Sequence, residues 1–230
     1  MAAAAWIPRR IAAPGAGMLT AVKCLVFAAC LLPLADLLWA AWRDDLGANP
    51  IEAITRGLGT WTLNFLLITL SVTPLRKLSG LDWLVRLRRM LGLYAFFYAS
   101  LHLLTYLWLD QFFDWAAIVK DIAKRPFVTA GFLAWLMLVP LAATSTQAMM
   151  RRLGGRRWQR LHRSVYAIGV VAVLHYWWLV KKDVTLPFTY ALILGALLAW
   201  RAVRRQDRGG RANAALVRTP GVAMAKSGAE

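Results

Sequence analysis

The stretch RRMLGLYAFFYASLHLLTYLWL, residues 88–109, decides how this chain is read. Two arginines open it, and the twenty residues from Met90 to Leu109 that follow hold no Asp, Glu, Lys or Arg. At about 1.5 Å per residue such a run makes a helix of about 30 Å, the thickness of the hydrocarbon core of a bilayer. One imidazole, His102, lies inside it. An apolar helix carrying a single imidazole at membrane depth is a functional-site signature, because such a group is costly to keep in lipid.

Working outward, five further stretches have the same character: Thr20 to Trp42, Gly57 to Leu75, Pro126 to Met150 with its end near Ala143, Ser164 to Val180, and Val184 to Trp200. The first is interrupted by Lys23 and Asp36. The expected fold class is therefore an all-α integral membrane protein, a six-transmembrane-helix bundle. Residues 1–19 read as an N-terminal tail, 20–203 as the transmembrane domain, and 204–230, rich in Gly, Ala and Arg, as a disordered basic C-terminal tail. Arg9 and Arg10 ahead of an apolar run resemble a signal peptide, but that run is too long for a signal h-region and leads into five more spans.

The composition agrees. Of 230 residues 60% are hydrophobic and 17% charged, yet the net charge is +17. A soluble nucleic-acid binder of that charge would spread Lys and Arg over solvated faces; here they are confined to the ends of apolar runs, so no nucleic-acid partner is expected. Twenty-one of the 28 cations fall in the N-terminal segment, the loops after spans two and four, and the C-terminal segment, against Asp82, Asp207 and Glu230, a net +18. The alternate loops balance seven cations with seven acids, and Asp36 supplies the last charge. Under the positive-inside rule both termini are cytoplasmic and the neutral loops face outward. Asp36 reads as an interhelical or interfacial acid. Cys24 and Cys30 are too far apart along one helix to bridge, and no Cys/His metal spacing exists.

The three histidines, His102, His162 and His175, lie in or beside spans three and five, which run in the same direction. His102 is about 12 Å and His175 about 9 Å from the outer end of its helix at 1.5 Å per residue. Imidazoles at matched depth on parallel helices suit bis-His axial ligation of one b-type haem; each alone would be an interhelical hydrogen-bonding residue. His162 lies about 20 Å below His175 and cannot serve the same iron. It fits either a second haem near the cytoplasmic face or a lipid-headgroup contact. Along the same span, 13 and 14 residues before His102, stand Arg89 and Arg88 rather than a histidine. With Arg163 they suit either anionic lipid or haem propionates.

At these residues the chain resembles a known family. LGANPIEAITRGLGTWTLNFLLITLSVTPLRK (46–77), RRMLGLYAFFYASLHLLTYL (88–107) and MMRRLGGRRWQRLHRSVYAIGVVAVLHYWW (149–178) are similar to the MsrQ family, haem-binding membrane subunits in the ferric-reductase-like transmembrane group. The resemblance covers roughly residues 20–203 and implies a multi-pass protein of the bacterial inner membrane that carries electrons through haem b, one or two per chain. It implies a heterodimeric partner, the periplasmic molybdopterin enzyme MsrP, which reduces methionine sulfoxide in oxidised periplasmic proteins. It implies FMN as a further cofactor, and the quinone pool or a cytosolic flavin reductase as donor. On that reading the chain is an electron-transfer subunit without a catalytic residue of its own. It implies His102, His175 and His162 as iron-binding residues, with Arg88, Arg89 and Arg163 beside the cofactor. Two other readings stand beside it: a ferric-reductase-type electron carrier, and a small transporter subunit without haem.

Overall fold

The computed structural model describes residues 14–180 and 183–217. These residues form helices α1 (Ala16–Trp42), α2 (Pro50–Ser79), α3 (Arg88–Thr105), α4 (Trp115–Lys124), α5 (Pro126–Ala143), α6 (Gln147–Leu153), α7 (Gly155–His162), α8 (Val165–Leu179) and α9 (Thr185–Val217), with no strand among them. A short 3-10 turn, Asp82–Arg86, precedes α3, and a π-turn, Tyr106–Asp110, ends it.

Five helical stretches are long and apolar enough to cross a membrane: α1, α2, Arg88–Asp110, α5 and Thr185–Gln206. The sixth expected span is helical as α8, but its 15 residues reach only about 22 Å. The upper end of the bundle is where α1, α3 and α8 finish and α2, α5 and α9 begin. α4 lies at that end, and α6 and α7 lie at the lower one. The tail expected to be disordered from 204 is helical as far as Val217. Its Ala and Arg residues are strong helix formers and no proline interrupts them. Residues 218–230 of that tail, and 1–13 of the N-terminal one, lie outside the described residues.

Local chemistry sets the ends of the helices. Asn49 caps α2 by accepting from the Glu52 amide at 3.2 Å, with Pro50 in the first turn. Gly80 ends that helix in the left-handed conformation (φ 73°). Asp114 caps α4 through the amides of Ala116 and Ala117.

α2 and α3 form one closely packed pair and α5 and α8 another, and the core lies where the two meet. Tyr98, Leu70 and Ile168 are fully buried there. Proline is the recurrent irregularity, since each one inside a helix frees a carbonyl four residues back. In α1 the ladder opens at Pro33: the Tyr98 hydroxyl donates to the Cys30 carbonyl (2.8 Å) and accepts from the Leu34 amide (3.1 Å), which pins α1 to α3. In α2, Pro74 cannot donate to the Leu70 carbonyl, and Arg201 of α9 supplies the missing donor through Nη2. Arg201 is held for this by a 2.9 Å bond to its own Leu197 carbonyl and by the face of Tyr166, 5.2 Å from ring centroid to guanidinium. Asp36 is exposed on α1 rather than bonded to a neighbouring helix. Cys24 and Cys30 are both free thiols.

Candidate functional site

His102 of α3 and His175 of α8 meet across the axis of the bundle. Their ring centroids are 6.1 Å apart and their planes differ by 74°. Each imidazole is anchored the same way. His102 Nδ1 lies 2.8 Å from the Thr55 carbonyl of α2, and His175 Nδ1 lies 2.6 Å from the Phe127 carbonyl of α5. A carbonyl only accepts, so in both rings Nδ1 carries the proton and Nε2 is left with a free lone pair.

That arrangement matches what a metal between the two rings requires. Two metal–nitrogen bonds of about 2.0 Å, with about 1.2 Å from each nitrogen to its ring centre, place the centroids about 6.4 Å apart. Protonated Nδ1 on a backbone carbonyl is the usual outer support of a ligating histidine, fixing its tautomer and orientation. Among the described residues no group of three or more His, Cys, Asp or Glu side chains is placed to hold a metal by itself. A cofactor that brings its own in-plane ligands and needs only two axial ones fits this donor set.

The rings border a cavity of about 640 Å³ at the upper end, within the range of about 300–1,000 Å³ common for cofactor sites. Its deeper wall is apolar, with Leu66, Leu138 and Ile168, and Trp135 is held there by a 3.1 Å bond from its indole nitrogen to Ser100. Its mouth is polar. Arg56 is paired with Glu52 at 2.5 Å and Arg125 with Asp121 at 3.3 Å, and both arginines line the opening. An apolar chamber with guanidinium groups at its mouth suits a flat, greasy ring system that carries carboxylates on one edge.

The other sequence candidates are elsewhere. His162, Arg88, Arg89 and Arg163 do not line the cavity. His162 ends α7 at the lower end, stacked on Trp158 at 4.0 Å, with Nε2 3.1 Å from the Thr144 hydroxyl. That hydroxyl gives its one proton to the Pro140 carbonyl at 2.6 Å, so the His162 Nε2–H donates to it. Burial, and then the Arg88 guanidinium, hold this imidazole below its ordinary pKa. Arg88 is half-buried, while Arg89 and Arg163 are exposed. The structure thus brings two of the three histidines together and leaves the third with a different tautomer at the opposite end.

Sequence reasoning missed Thr55 and Phe127, whose carbonyls orient the rings, and Arg56 and Arg125 at the mouth. The arginines were counted only as part of a neutral loop surface. The carbonyls have no side-chain signal to find.

Comparison with known proteins gives the family. The family described as ferric reductase like transmembrane component matches residues 51–173. A protein of Azospira oryzae named protein-methionine-sulfoxide reductase heme-binding subunit MsrQ is 59% identical over 193 residues, covering 84% of this chain and 83% of its own. Proteins of the same name from Herminiimonas arsenicoxydans and Xanthomonas campestris are 54% and 56% identical. They cover 82% and 80% of this chain and 87% of each relative.

Proposed function

The chain belongs to the MsrQ family of haem-binding subunits, multi-pass bacterial membrane proteins of the ferric-reductase-like transmembrane group, and from that premise we propose that it passes electrons across the inner membrane to a periplasmic methionine sulfoxide reductase, the MsrP subunit. The observation that carries the reading is the facing pair His102 and His175, with both Nδ1 atoms on carbonyls and both Nε2 atoms free.

In this reading α8 completes a six-helix bundle, both termini are cytoplasmic, and the upper end faces the periplasm. His102 and His175 are the residues that would hold a haem-b iron, through Nε2 of each. Haem supplies reversible one-electron chemistry inside the bilayer. The residues of the chain bind and orient it and exclude water: the Thr55 and Phe127 carbonyls hold both imidazoles in the ligating tautomer, the apolar wall keeps the local dielectric low, and Arg56 and Arg125 balance carboxylate charge at the mouth. The site lies toward the periplasmic side, close to where an acceptor enzyme docks. A second haem at the cytoplasmic end would draw on His162, with Arg88, Arg89 and Arg163 balancing its propionates. With two of the chain's three histidines already engaged, its other axial ligand would have to be something other than a further histidine. FMN and the donor, quinone or a cytosolic flavin reductase, belong to that cytoplasmic step.

The test is reconstitution. Chain and MsrP in one vesicle, with a reductant supplied on the cytoplasmic side, should reduce methionine sulfoxide, and a dithionite-minus-oxidised spectrum should show b-haem bands. A colourless protein, or one that delivers electrons to ferric chelate but not to MsrP, would overturn the reading. His162→Ala is expected to leave the haem at His102 and His175 in place and to alter only a cytoplasmic-side haem; loss of all haem from a folded His162→Ala protein would contradict the separation of the two ends.

A further inference from the structure

Each axial histidine leans on a glycine of the neighbouring helix, placed four residues after the carbonyl that takes its Nδ1 proton. Thr55 and Gly59 on α2 face His102; Phe127 and Gly131 on α5 face His175. Residues four apart share one face of a helix, so carbonyl and glycine together make a single shelf. The two shelves are built alike on α2 and α5, which both start at the upper end, and each receives a histidine from the helix packed against it.

The fit is close. A Cβ on Gly59 would stand 3.1 Å from His102 Cε1 and 3.2 Å from Nδ1. On Gly131 it would stand 2.8 Å from His175 Cε1 and 2.9 Å from Nδ1. The helical glycine Gly92 is a contrast, because a Cβ there would meet only Thr69 Cγ2 at 3.7 Å, an ordinary contact. A glycine inside a helix costs up to about 1 kcal/mol relative to alanine. At 59 and 131 that cost is offset by room for an imidazole.

The hydrogen bond alone does not set the ring plane. It fixes where Nδ1 sits, but the last torsion of a histidine is broad and roughly two-fold. The flat backbone at the glycine removes that freedom by blocking rotation toward the shelf.

We infer that Gly59 and Gly131 are positioning residues that set the planes of the two axial imidazoles, and so hold them close to perpendicular across the iron. The inference rests on the haem reading above. Ring orientation matters electronically: crossed axial imidazoles leave two iron d orbitals nearly equal in energy and give a strongly anisotropic ferric low-spin resonance, whereas parallel rings give a rhombic one. Orientation by such outer contacts is one of the levers a protein has on a metal's properties.

The experiment uses the full-length haem-loaded protein in detergent or nanodiscs, read by electron paramagnetic resonance of the ferric form and by haem per protein. The unmodified protein should give the strongly anisotropic signal. Gly131→Ala should move it toward rhombic and lower haem affinity about 10-fold, as loss of an outer-shell partner does. Gly59→Ala should do the same more weakly, and Gly92→Ala should change neither. Should Gly131→Ala fail to hold haem at all, His175→Gly supplied with free imidazole provides a second test. The added ring should restore the anisotropic signal on the intact shelf, and should give a rhombic signal or none in His175→Gly/Gly131→Ala. A rhombic signal from the unmodified protein, unchanged signals in both alanine variants, or an equal loss in Gly92→Ala would each overturn the inference. Failure of the underlying haem reading shows separately, as a colourless unmodified protein or as full haem content in both His102→Ala and His175→Ala.

Discussion

Replacing His102 or His175 by alanine is expected to remove the haem of this chain's upper site, at least 10-fold by haem per protein. The expectation follows from how little else would hold an iron there. The two rings lie 6.1 Å apart by their centroids, and no third His, Cys, Asp or Glu is grouped with them among the described residues. A five-coordinate remnant would keep only the apolar wall and the mouth arginines, and its reduced spectrum would lose the sharp six-coordinate bands. The two variants should look alike, since either one breaks the same pair. His102→Ala also leaves the Thr55 carbonyl, and His175→Ala the Phe127 carbonyl, with only its helical partner, a small cost because each remains in a helix ladder. Loss of haem should therefore occur without loss of fold, checked by helical circular dichroism. Full haem content in both variants would end the pairing.

The second large effect is on stability. Arg201→Ala is expected to destabilise the bundle by about 2–4 kcal/mol, the range for stranding a buried acceptor that had a charged donor. Leu70 is fully buried, and its carbonyl lacks the usual helical donor because residue 74 is proline. In a membrane no water replaces the guanidinium, so the polar group goes unpaired. The contact also joins α9 to α2, alongside Lys77, whose ammonium lies 5.3 Å from the Trp200 ring centre. Pro74→Ala gives an internal check. It restores an N–H for the Leu70 carbonyl and should recover part of the loss in the Arg201→Ala background, a coupling readable as a double-mutant cycle from thermal unfolding in detergent. If the two losses simply add, Arg201 does not act through that carbonyl.

Much of the membrane architecture was legible because it depends on local sums. The apolar runs at Met90–Leu109 and Pro126–Ala143 are read residue by residue against the thickness of a bilayer, and the observed helices begin and end within a few residues of them. Of the six expected spans α8 is the shortest helix, its apolar run confined between Arg163 and Lys181. The end of α9 was misread for the opposite reason: low hydropathy after Trp200 says that the chain has left the lipid, not that it has stopped being helical.

The candidate site was legible only in its two histidines. Matched depth along parallel helices brought out His102 and His175, since rise per residue is a sequence quantity. The partners of those histidines were not visible. Thr55 stands 47 residues from His102 and contributes only a backbone carbonyl, which every residue possesses. His162 shows the same limit, because nothing in RRWQRLHR announces that its Nε2 is committed to Thr144.

The sequence by itself determined that this chain lives in a membrane, which loops carry its positive charge, and which three imidazoles are candidates for a metal, because hydropathy, charge and ligand chemistry belong to residues one at a time. Only the tertiary structure decided that two imidazoles face each other nearly at right angles, that two glycines make room for them, and that Arg201 repairs the ladder broken at Pro74. Those facts depend on how helices are rotated against one another. Each residue turns a helix by about 100°, so a small change in register exchanges the face that packs for the face that does not.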